Sequence, residues 1–229
     1  MLGIIQARMS SKRFRGKMLT NLEGVTILER VVSQLNKANR IKKVVVATSI
    51  EESDNEIQAL CEIKGISCYR GPLYNVALRF TEILKKENFM SFVRVSGDSP
   101  TIDPLIIDLA SDIFIDGDYD LVTNVFPRTF PKGQSVEVMS SQTFLNTYEF
   151  FNEKNHCEHV TKYFYENKEK FHIKNFESSV NYSNVNLCVD VPDDLIMMAN
   201  ILKFCKNDKK GYKQLAETYL HLNGLSAVE

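Results

Sequence analysis

Residues 8–17, RMSSKRFRGK, form a short segment with a high density of positive charge. The segment contains five cations, two serines and a glycine, and it directly follows the apolar run GIIQA. Cationic side chains, hydroxyls and backbone N–H groups that meet in one loop are suited to bind a polyphosphate. A solvated basic loop, or one that contacts RNA, is the alternative interpretation. The position of the loop after an apolar run and its Ser and Gly content favour phosphate binding.

The known phosphate-binding fingerprints do not fit this loop. Gly16 and Lys17 are followed by Met18, where a Walker loop requires Ser or Thr, and Ser11 occupies the position of its first glycine. No GxGxxG motif follows the first apolar run either. These two observations weigh against a P-loop NTPase and against an NAD-dependent enzyme.

Two aspartates end apolar runs elsewhere in the chain, at Asp98 and Asp190. Such a carboxylate is well placed to hold Mg²⁺ against phosphate oxygens, and Gly97 leaves space beside Asp98. A turn aspartate that caps the next helix is the alternative for Asp98. Asp193 and Asp194 fall in a first helical turn, where a carboxylate is stabilised by the helix dipole, and are predicted to be structural. Two strand-end aspartates opposite a cationic loop predict metal-assisted phosphoryl or nucleotidyl transfer.

Short β-branched runs alternate with segments of helical period, which predicts an α/β fold with a doubly wound, mostly parallel sheet. In such a sheet ligands bind at the carboxyl ends of the strands, and the cationic loop, Asp98 and Asp190 each follow a predicted strand. The predicted strands are 3–7, 43–48, 66–69, 92–95, 120–123, 171–176 and 185–190. The predicted helices are 26–38, one from 53 to Gly65, 74–86, 104–116, 141–152, 158–169 and one from Pro192. Thr26 is the predicted N-cap of the first helix, and residues 53–56 have the spacing of a capping box at the start of the second.

Residues 124–184 interrupt the alternating pattern within a single predicted domain of 1–229. The segment FPRTFPKGQSVEVM carries two prolines and a glycine before a short alternating run, which predicts a loop that leads into an edge strand. We predict that 124–184 is a small α+β insertion that packs outside the main sheet. The lysine-rich stretch 203–213 is predicted to be a solvated helical end.

The overall composition excludes several classes of protein. The chain has 229 residues, with 28 Lys and Arg against 29 Asp and Glu and a formal net charge of −1, which argues against a protein that coats nucleic acid. No apolar run is long enough to span a membrane, and the first residues do not resemble a signal peptide. Five cysteines without a CxxC pair suggest reduced thiols, so we expect a cytoplasmic location.

Five elements in order resemble the cytidylyltransferase family that activates acidic sugars, including CMP-Kdo and CMP-sialic acid synthetases, and most of all its SpsF-like branch in spore-coat polysaccharide biosynthesis. IIQARMSSKRFRGK is similar to the branch's IIQARMGSTRLPGK, and RVSGDSPTID to R-x-T-G-D-x-P-L-x-D. FPKGQSVEV resembles YPxGxDxEV, CEHVT resembles R-E-H-V-T, and VDVPDDL resembles V-D-x-P-E-D-L. The resemblance covers nearly the whole chain and implies a three-layer α/β/α, Rossmann-like nucleotidyltransferase fold.

The resemblance also implies roles for particular residues. Arg8, Lys17, Asp98 and Asp190 would be catalytic, with Lys17 acting on the departing pyrophosphate and with Asp98 and Asp190 holding Mg²⁺. The predicted nucleotide-binding residues are Ala7, Arg8, Ser10, Ser11, Arg13, Lys17, Arg70, Ser96 and Asp98. The predicted acceptor-binding residues are Arg94, Glu137 and His159, although the setting of His159 also fits a plain helix start.

The implied activity is Mg²⁺-dependent transfer of CMP from CTP to an acidic sugar for a surface polysaccharide. The protein is expected to be a homodimer joined through 124–184, without nucleic acid or membrane partners. Two alternatives stay open: a phosphate or phosphonate acceptor, and a nucleotide-binding partner of a glycan enzyme that has lost turnover. Gln134, Ser135 and Cys157 depart from the family pattern on the presumed acceptor side, so the sequence leaves the acceptor open.

Overall fold

The computed structural model describes residues 1–205 and 211–228. Their strands are β1 (Leu2–Gln6), β2 (Asn21–Leu22), β3 (Val25–Thr26), β4 (Lys43–Ser49), β5 (Ser67–Gly71), β6 (Ser91–Ser96), β7 (Leu121–Thr123), β8 (Glu137–Ser140) and β9 (Ile173–Asn175). Their α-helices are α1 (Ile27–Lys37), α2 (Asn55–Lys64), α3 (Val76–Glu87), α4 (Pro104–Asp116), α5 (Ser141–Tyr148), α6 (Lys154–Glu158), α7 (Lys162–Glu166), α8 (Pro192–Phe204) and α9 (Tyr212–Asn223).

Seven strands form one sheet in the order β5-β4-β1-β6-β8-β7-β9, and β2 and β3 form a separate hairpin. Strand β8 pairs antiparallel with both of its neighbours, whereas the other pairings of the sheet are parallel. The predicted mostly parallel α/β sheet is therefore confirmed. Parallel strands β1, β4 and β6 end at one edge, which gathers the segments that follow them.

Helices cover both faces of the sheet because alternate strand residues point to opposite sides. On one face, residues such as Ile5 and Val95 pack with apolar residues of α1, α2 and α4. On the other face, Ile4 and Phe92 pack with α3, α5 and α7. A third cluster joins α8 and α9 beside the sheet. None of the described helices is long and apolar enough to cross a lipid bilayer.

Helix α1 begins as predicted, because Thr26 and Glu29 form a reciprocal capping box. The Thr26 hydroxyl accepts from the Glu29 amide at 3.2 Å, and the Glu29 carboxylate accepts from the Thr26 amide at 2.9 Å. By contrast, the capping box predicted for 53–56 is wrong. The side chain of Asp54 makes no cap hydrogen bond to α2, which follows a 3₁₀ turn at Glu52–Asp54. Asp54 faces the residues after β1 instead.

The predicted edge strand after residue 124 is wrong, and so is the packing of 124–184 outside the main sheet. Strand β8 lies in the interior of the sheet between β6 and β7, and β9 adds the outer strand beside β7. Proline and glycine in the preceding loop do not restrict β8 to an edge, because both lie before Glu137 and leave its amides free to pair.

The predicted strand 185–190 is also wrong, although its residues alternate as a strand would. Val185, Leu187 and Val189 are fully buried, but they pack against α8 and α9 instead of joining the sheet. The backbone is tied to Lys132 and to the Asp98 carbonyl, which accepts from the Val189 amide at 2.9 Å. This hydrogen bond places Asp190, the residue after Val189, close to Asp98. Of the lysine-rich stretch 203–213, residues 206–210 lie outside the described part of the chain.

Candidate active site

A cleft of about 640 Å³ lies at the carboxyl ends of β1 and β6 and collects most of the predicted site residues. The loop after β1 and the segment after Val189 form two of its walls, and the start of α3 and the end of α6 contribute to the others. The predicted residues that line it are Ala7, Arg8, Ser10, Ser11, Arg13, Lys17, Ser96, Asp98, His159 and Asp190. The cleft brings together residues from opposite ends of the chain, from Gln6 to Asp190.

Lys17 is the cleft residue that contacts both of the predicted metal-binding aspartates. Its Nζ donates to Asp98 Oδ2 at 3.0 Å, to Asp190 Oδ1 at 2.9 Å and to the Val189 carbonyl at 2.9 Å. The residue is 5% exposed, and burial by itself lowers the pKa of Lys17. The charges and hydrogen bonds of Asp98 and Asp190 outweigh burial and raise it, so the ammonium form is stabilised.

The two aspartates are positioned by their backbones as well as by Lys17. The amide of Gly97 donates to the Gln6 carbonyl at 2.9 Å, which holds the end of β6 against β1. A Cβ atom at Gly97 would lie 2.9 Å from Met18 Sδ and 3.0 Å from the Gln6 carbonyl, so glycine is required for this close approach. Asp194 accepts from the amides of Asp190 and Val191 at 2.8 and 2.9 Å, which confirms its structural role.

The donor atoms around Lys17 suit a hard divalent cation. Two carboxylates and a carbonyl surround Nζ, and oxygen is the ligand that Mg²⁺ prefers. Among residues 1–205 and 211–228 there is no group of three or more His, Cys, Asp or Glu side chains that could hold a metal. Phosphate oxygens and water would therefore have to complete the coordination, as is usual for Mg²⁺. The residues present fit the predicted ion, for which Asp98 and Asp190 would be the protein ligands.

Two further cations of the loop line the cleft and pair with different carboxylates. Arg13 donates to Asp190 Oδ2 at 3.0 Å and remains 67% exposed at its side chain, and Arg8 donates to Glu158 Oε1 at 3.3 Å. Exposed or weakly paired guanidinium groups can be redirected to an anion at low cost. The cleft therefore offers Arg8, Arg13 and Lys17 to a polyanion and two carboxylates to a cation.

Three predicted site residues do not line the cleft. The guanidinium of Arg70 is used on the Ser49 and Glu51 carbonyls and on the Gln58 side chain, at 2.6 to 2.9 Å. Arg70 thus fastens the turn after β4, outside the cleft lining. Arg94 and Glu137 lie directly opposite each other on β6 and β8 and form an ion pair.

The Arg94–Glu137 pair is connected to the cleft through Gln6. Arg94 donates to Gln6 Oε1 at 3.1 and 3.3 Å, and Gln6 lines the cleft. The Glu137 carboxylate also accepts from the Tyr165 hydroxyl at 2.5 Å and is 3% exposed. Burial, followed by the charge and hydrogen bond of Glu137, raises the pKa of Tyr165 above its ordinary value of 10.0.

The raised pKa of Tyr165 predicts a loss of stability in alkali. The folded protein keeps this phenol protonated, whereas the unfolded chain ionises it from pH 10, so its contribution is complete below pH 10 and is lost as the pH rises above it. Tyr165→Phe is expected to reduce the steepness with which the unfolding free energy falls between pH 10 and 11 by about 1 kcal/mol per pH unit. Urea titrations at each pH measure the slope. Tyr74→Phe, at a residue 75% exposed, is the control, and an unchanged slope in Tyr165→Phe would contradict the prediction.

Several residues that line the cleft are not among the predicted catalytic, nucleotide-binding or acceptor-binding residues, namely Gln6, Lys12, Met18, Leu73, Tyr74, Val76, Arg79 and Glu158. The sequence offered a signal that Arg79 has a special role, because a charged residue stands there on the apolar face of α3, between Val76 and Phe80. It is 1% exposed, its Nη1 donates to the Ala47 carbonyl at 3.3 Å, and its Nε has no partner. Burial lowers the pKa of Arg79 to about 10. A polar residue at the end of a buried strand, as at Gln6, is a similar signal.

Comparison with known proteins gives matches over nearly the whole chain. The sequence profile of a family described as Cytidylyltransferase matches residues 2–220. The spore coat polysaccharide biosynthesis protein SpsF of Bacillus subtilis is 27% identical over 202 residues, which cover 84% of this chain and 82% of SpsF.

Two solved structures are similar to this fold. A cytidylyltransferase from Leptospira borgpetersenii serovar Hardjo-bovis has a TM-score of 0.91 and 28% identity, with 97% of this chain and 94% of that one covered. A CMP:2-keto-3-deoxy-manno-octonic acid synthetase complexed with CTP has a TM-score of 0.67 and 16% identity, with 89% and 98% covered. At that identity the second match is one of fold.

Proposed function

This chain belongs to the cytidylyltransferase family and is a nucleotidyltransferase, and we propose that it transfers CMP from CTP to an acidic sugar with release of pyrophosphate. The proposed sugar is of the Kdo or nonulosonic acid class, and the proposed product serves a surface polysaccharide. SpsF and the CMP:2-keto-3-deoxy-manno-octonic acid synthetase support this choice of acceptor class by their names. The observation that carries the proposal is the cleft in which Lys17 joins Asp98 and Asp190.

In the proposed reaction the cationic residues of the cleft bind the phosphates, and its two aspartates bind the metal ion. In the proposed reaction an acceptor hydroxyl oxygen forms a bond to the α-phosphorus of CTP, and the bond from that phosphorus to the β-phosphate oxygen breaks. Arg8, Arg13 and Lys17 would bind the triphosphate and neutralise the charge that grows on the departing pyrophosphate. Mg²⁺ held by Asp98 and Asp190 would supply polarisation of the α-phosphate oxygens and a lower pKa for the attacking hydroxyl.

The acceptor is proposed to lie on the side of the cleft lined by Gln6 and His159. Gln6 lines the cleft and accepts from Arg94, so the Arg94–Glu137 pair is connected to the cleft through Gln6, whereas His159 lines the cleft directly. Gln134 is not part of this connection, because its buried side chain bridges the Asp103 amide and the Thr101 carbonyl at 2.9 and 2.8 Å. Its departure from the family pattern is therefore accounted for by packing.

Removal of divalent metal is expected to abolish pyrophosphate release from CTP. An EDTA-treated sample should show background release only, and addition of Mg²⁺ should restore the activity. The assay measures pyrophosphate with CTP, UTP or ATP across a panel of sugar acids, phosphosugars and phosphonates. Full activity in EDTA would contradict the metal assignment. Stabilisation by CTP against heat without release for any acceptor would instead support the non-catalytic alternative.

We also propose a homodimer that acts in the cytoplasm and is joined through residues 124–184. This segment is rich in aromatic residues, and its Phe126 and Phe150 are 42% and 60% exposed, so they are the side chains that we propose a second copy covers. The five cysteines are free thiols in the structure, in keeping with a reducing compartment. Light scattering coupled to size exclusion, with Phe150→Ser as the test variant, would measure the mass expected for two chains in the wild type and a smaller mass in the variant.

A further inference from the structure

Asp54 is a buried carboxylate that the reaction described above does not use. It is 0% exposed and lies in the 3₁₀ turn between β4 and α2, where it makes no side-chain hydrogen bond to the helix that follows. A carboxylate removed from water is costly unless hydrogen bonds compensate it fully. The partners of Asp54 therefore indicate why a charge is retained there.

The two carboxylate oxygens of Asp54 serve different parts of the chain. Oδ2 accepts from the Thr48 hydroxyl at 3.1 Å, from the Ser49 amide at 3.0 Å and from the Ser49 hydroxyl. Oδ1 accepts from the Met9 amide at 2.7 Å, across 45 residues of sequence. One oxygen thus fixes the carboxylate to the end of β4, and the other holds the cationic loop.

Met9 is the point from which the cationic loop is closed. Its carbonyl accepts from the Ser11 amide at 2.9 Å and from the Gly16 amide at 3.0 Å. Gly16 has a φ of 78°, a conformation that glycine adopts without strain. The peptide groups on either side of Met9 therefore anchor the loop to the sheet and join its two ends. Arg8, Ser10, Ser11, Arg13 and Lys17 are all carried by this closed loop or its flanks.

We propose that Asp54 is a positioning residue for nucleotide binding: it holds the Met9 amide so that the cationic loop is preformed for the phosphates of CTP. The inference rests on the proposed function, because it names the residue that orders the phosphate-binding part of the same site. A loop held in its bound conformation loses less conformational entropy on binding, and binds the ligand more tightly for that reason. Because the anchor orders the loop that carries the cations, we expect it to favour the phosphates and not the base or ribose.

Asp54→Asn tests the proposal because an amide has one oxygen where the carboxylate has two. That oxygen is expected to turn to the three donors of Thr48 and Ser49, which leaves the NH₂ group facing the Met9 amide. The anchor of the loop is then lost while the contacts at the end of β4 remain. Calorimetric titration in the presence of Mg²⁺ is expected to show a fall of about tenfold or more in affinity for CTP. Affinity for cytidine, which lacks phosphates, is expected to be unchanged.

Asp103→Asn is the matched control. Asp103 is also buried, at 7% exposure, and its two oxygens accept from the Leu105 and Tyr212 amides at 2.9 Å each, outside the cleft lining. We expect this variant to lower the melting temperature without changing the ratio of CTP to cytidine affinity. If Asp54→Asn does not fold, Ser49→Ala, which removes one donor that orients the carboxylate, is expected to give the same selective loss in smaller measure.

A proportionate loss of CTP and cytidine affinity in Asp54→Asn would overturn the proposal, since it would indicate general damage. Unchanged affinity for CTP in a folded Asp54→Asn would overturn it as well. Failure of the wild-type protein to bind CTP would overturn the proposed function and this inference together, and it is distinguished by appearing before any substitution is made.

Discussion

Asp98→Asn is expected to slow pyrophosphate release from CTP by a factor of about 10² to 10³, with the fold intact. Asp98 faces Lys17 and Asp190 in the cleft, and its carboxylate is one of the two that contact the Lys17 ammonium and that we propose as metal ligands. Asparagine preserves the shape but removes the negative charge that Mg²⁺ requires. Stopped assays with the acceptor identified by the panel measure the rate, and circular dichroism verifies the fold.

The control for this variant is Asp193→Asn. Asp193 is an exposed carboxylate in the first turn of α8, three residues after Asp190. The same chemical change there should leave the rate within about twofold of wild type, because exposed substitutions away from special contacts have small effects. Turnover in Asp98→Asn equal to that of wild type would contradict both the metal assignment and the catalytic role of Asp98.

Lys17→Met is expected to produce two opposite effects. Pyrophosphate release should fall by about 10² to 10³, because the buried cation beside the leaving group is lost while the hydrophobic part of the side chain is retained. In the absence of nucleotide, however, affinity for Mn²⁺ should rise by more than about tenfold. The ammonium now neutralises Asp98 and Asp190, and without it the two carboxylates face each other uncompensated and favour a divalent ion.

Electron paramagnetic resonance of free Mn²⁺ measures the second effect directly and does not depend on turnover. Lys86→Met, at an exposed lysine of α3, is the control for loss of a positive charge. Equal Mn²⁺ affinity in wild type and Lys17→Met would contradict the conclusion that the lysine and the metal compete for the same oxygens. A raised affinity together with normal turnover would instead remove Lys17 from the catalytic group.

Local sequence patterns were sufficient for the elements that carry the site. The apolar run of β1, the capping box at Thr26 and the glycine beside Asp98 each depend on neighbours a few residues away. The cationic loop and the two aspartates were found because loops after parallel strands meet at one edge of the sheet. Family resemblance added CTP as the nucleotide and an acidic sugar as the acceptor class.

Errors arose where distant segments decide the outcome. The pattern of Val185, Leu187 and Val189 is correct for burial, but only the packing of α8 and α9 determines that these residues lie outside the sheet. The spacing of Ser53 and Glu56 predicted a capping box, but α2 begins only at Asn55, and the Asp54 carboxylate accepts from the Met9 amide, 45 residues away. The role of Arg70 in nucleotide binding stays a prediction, and local carbonyls and the Gln58 side chain occupy its guanidinium.

Because β8 lies in the interior of the sheet, residues 124–184 cannot be deleted without disrupting the sheet. Strands β6 and β7 each pair with β8, so the backbone amides and carbonyls of three strands depend on residues 137–140. Deletion of 124–184 would leave two open strand edges in the middle of a sheet, and open edges recruit other chains into aggregates. The segment is therefore not an exchangeable cassette, and engineering of acceptor preference is better directed at single side chains within it than at grafting the segment between relatives.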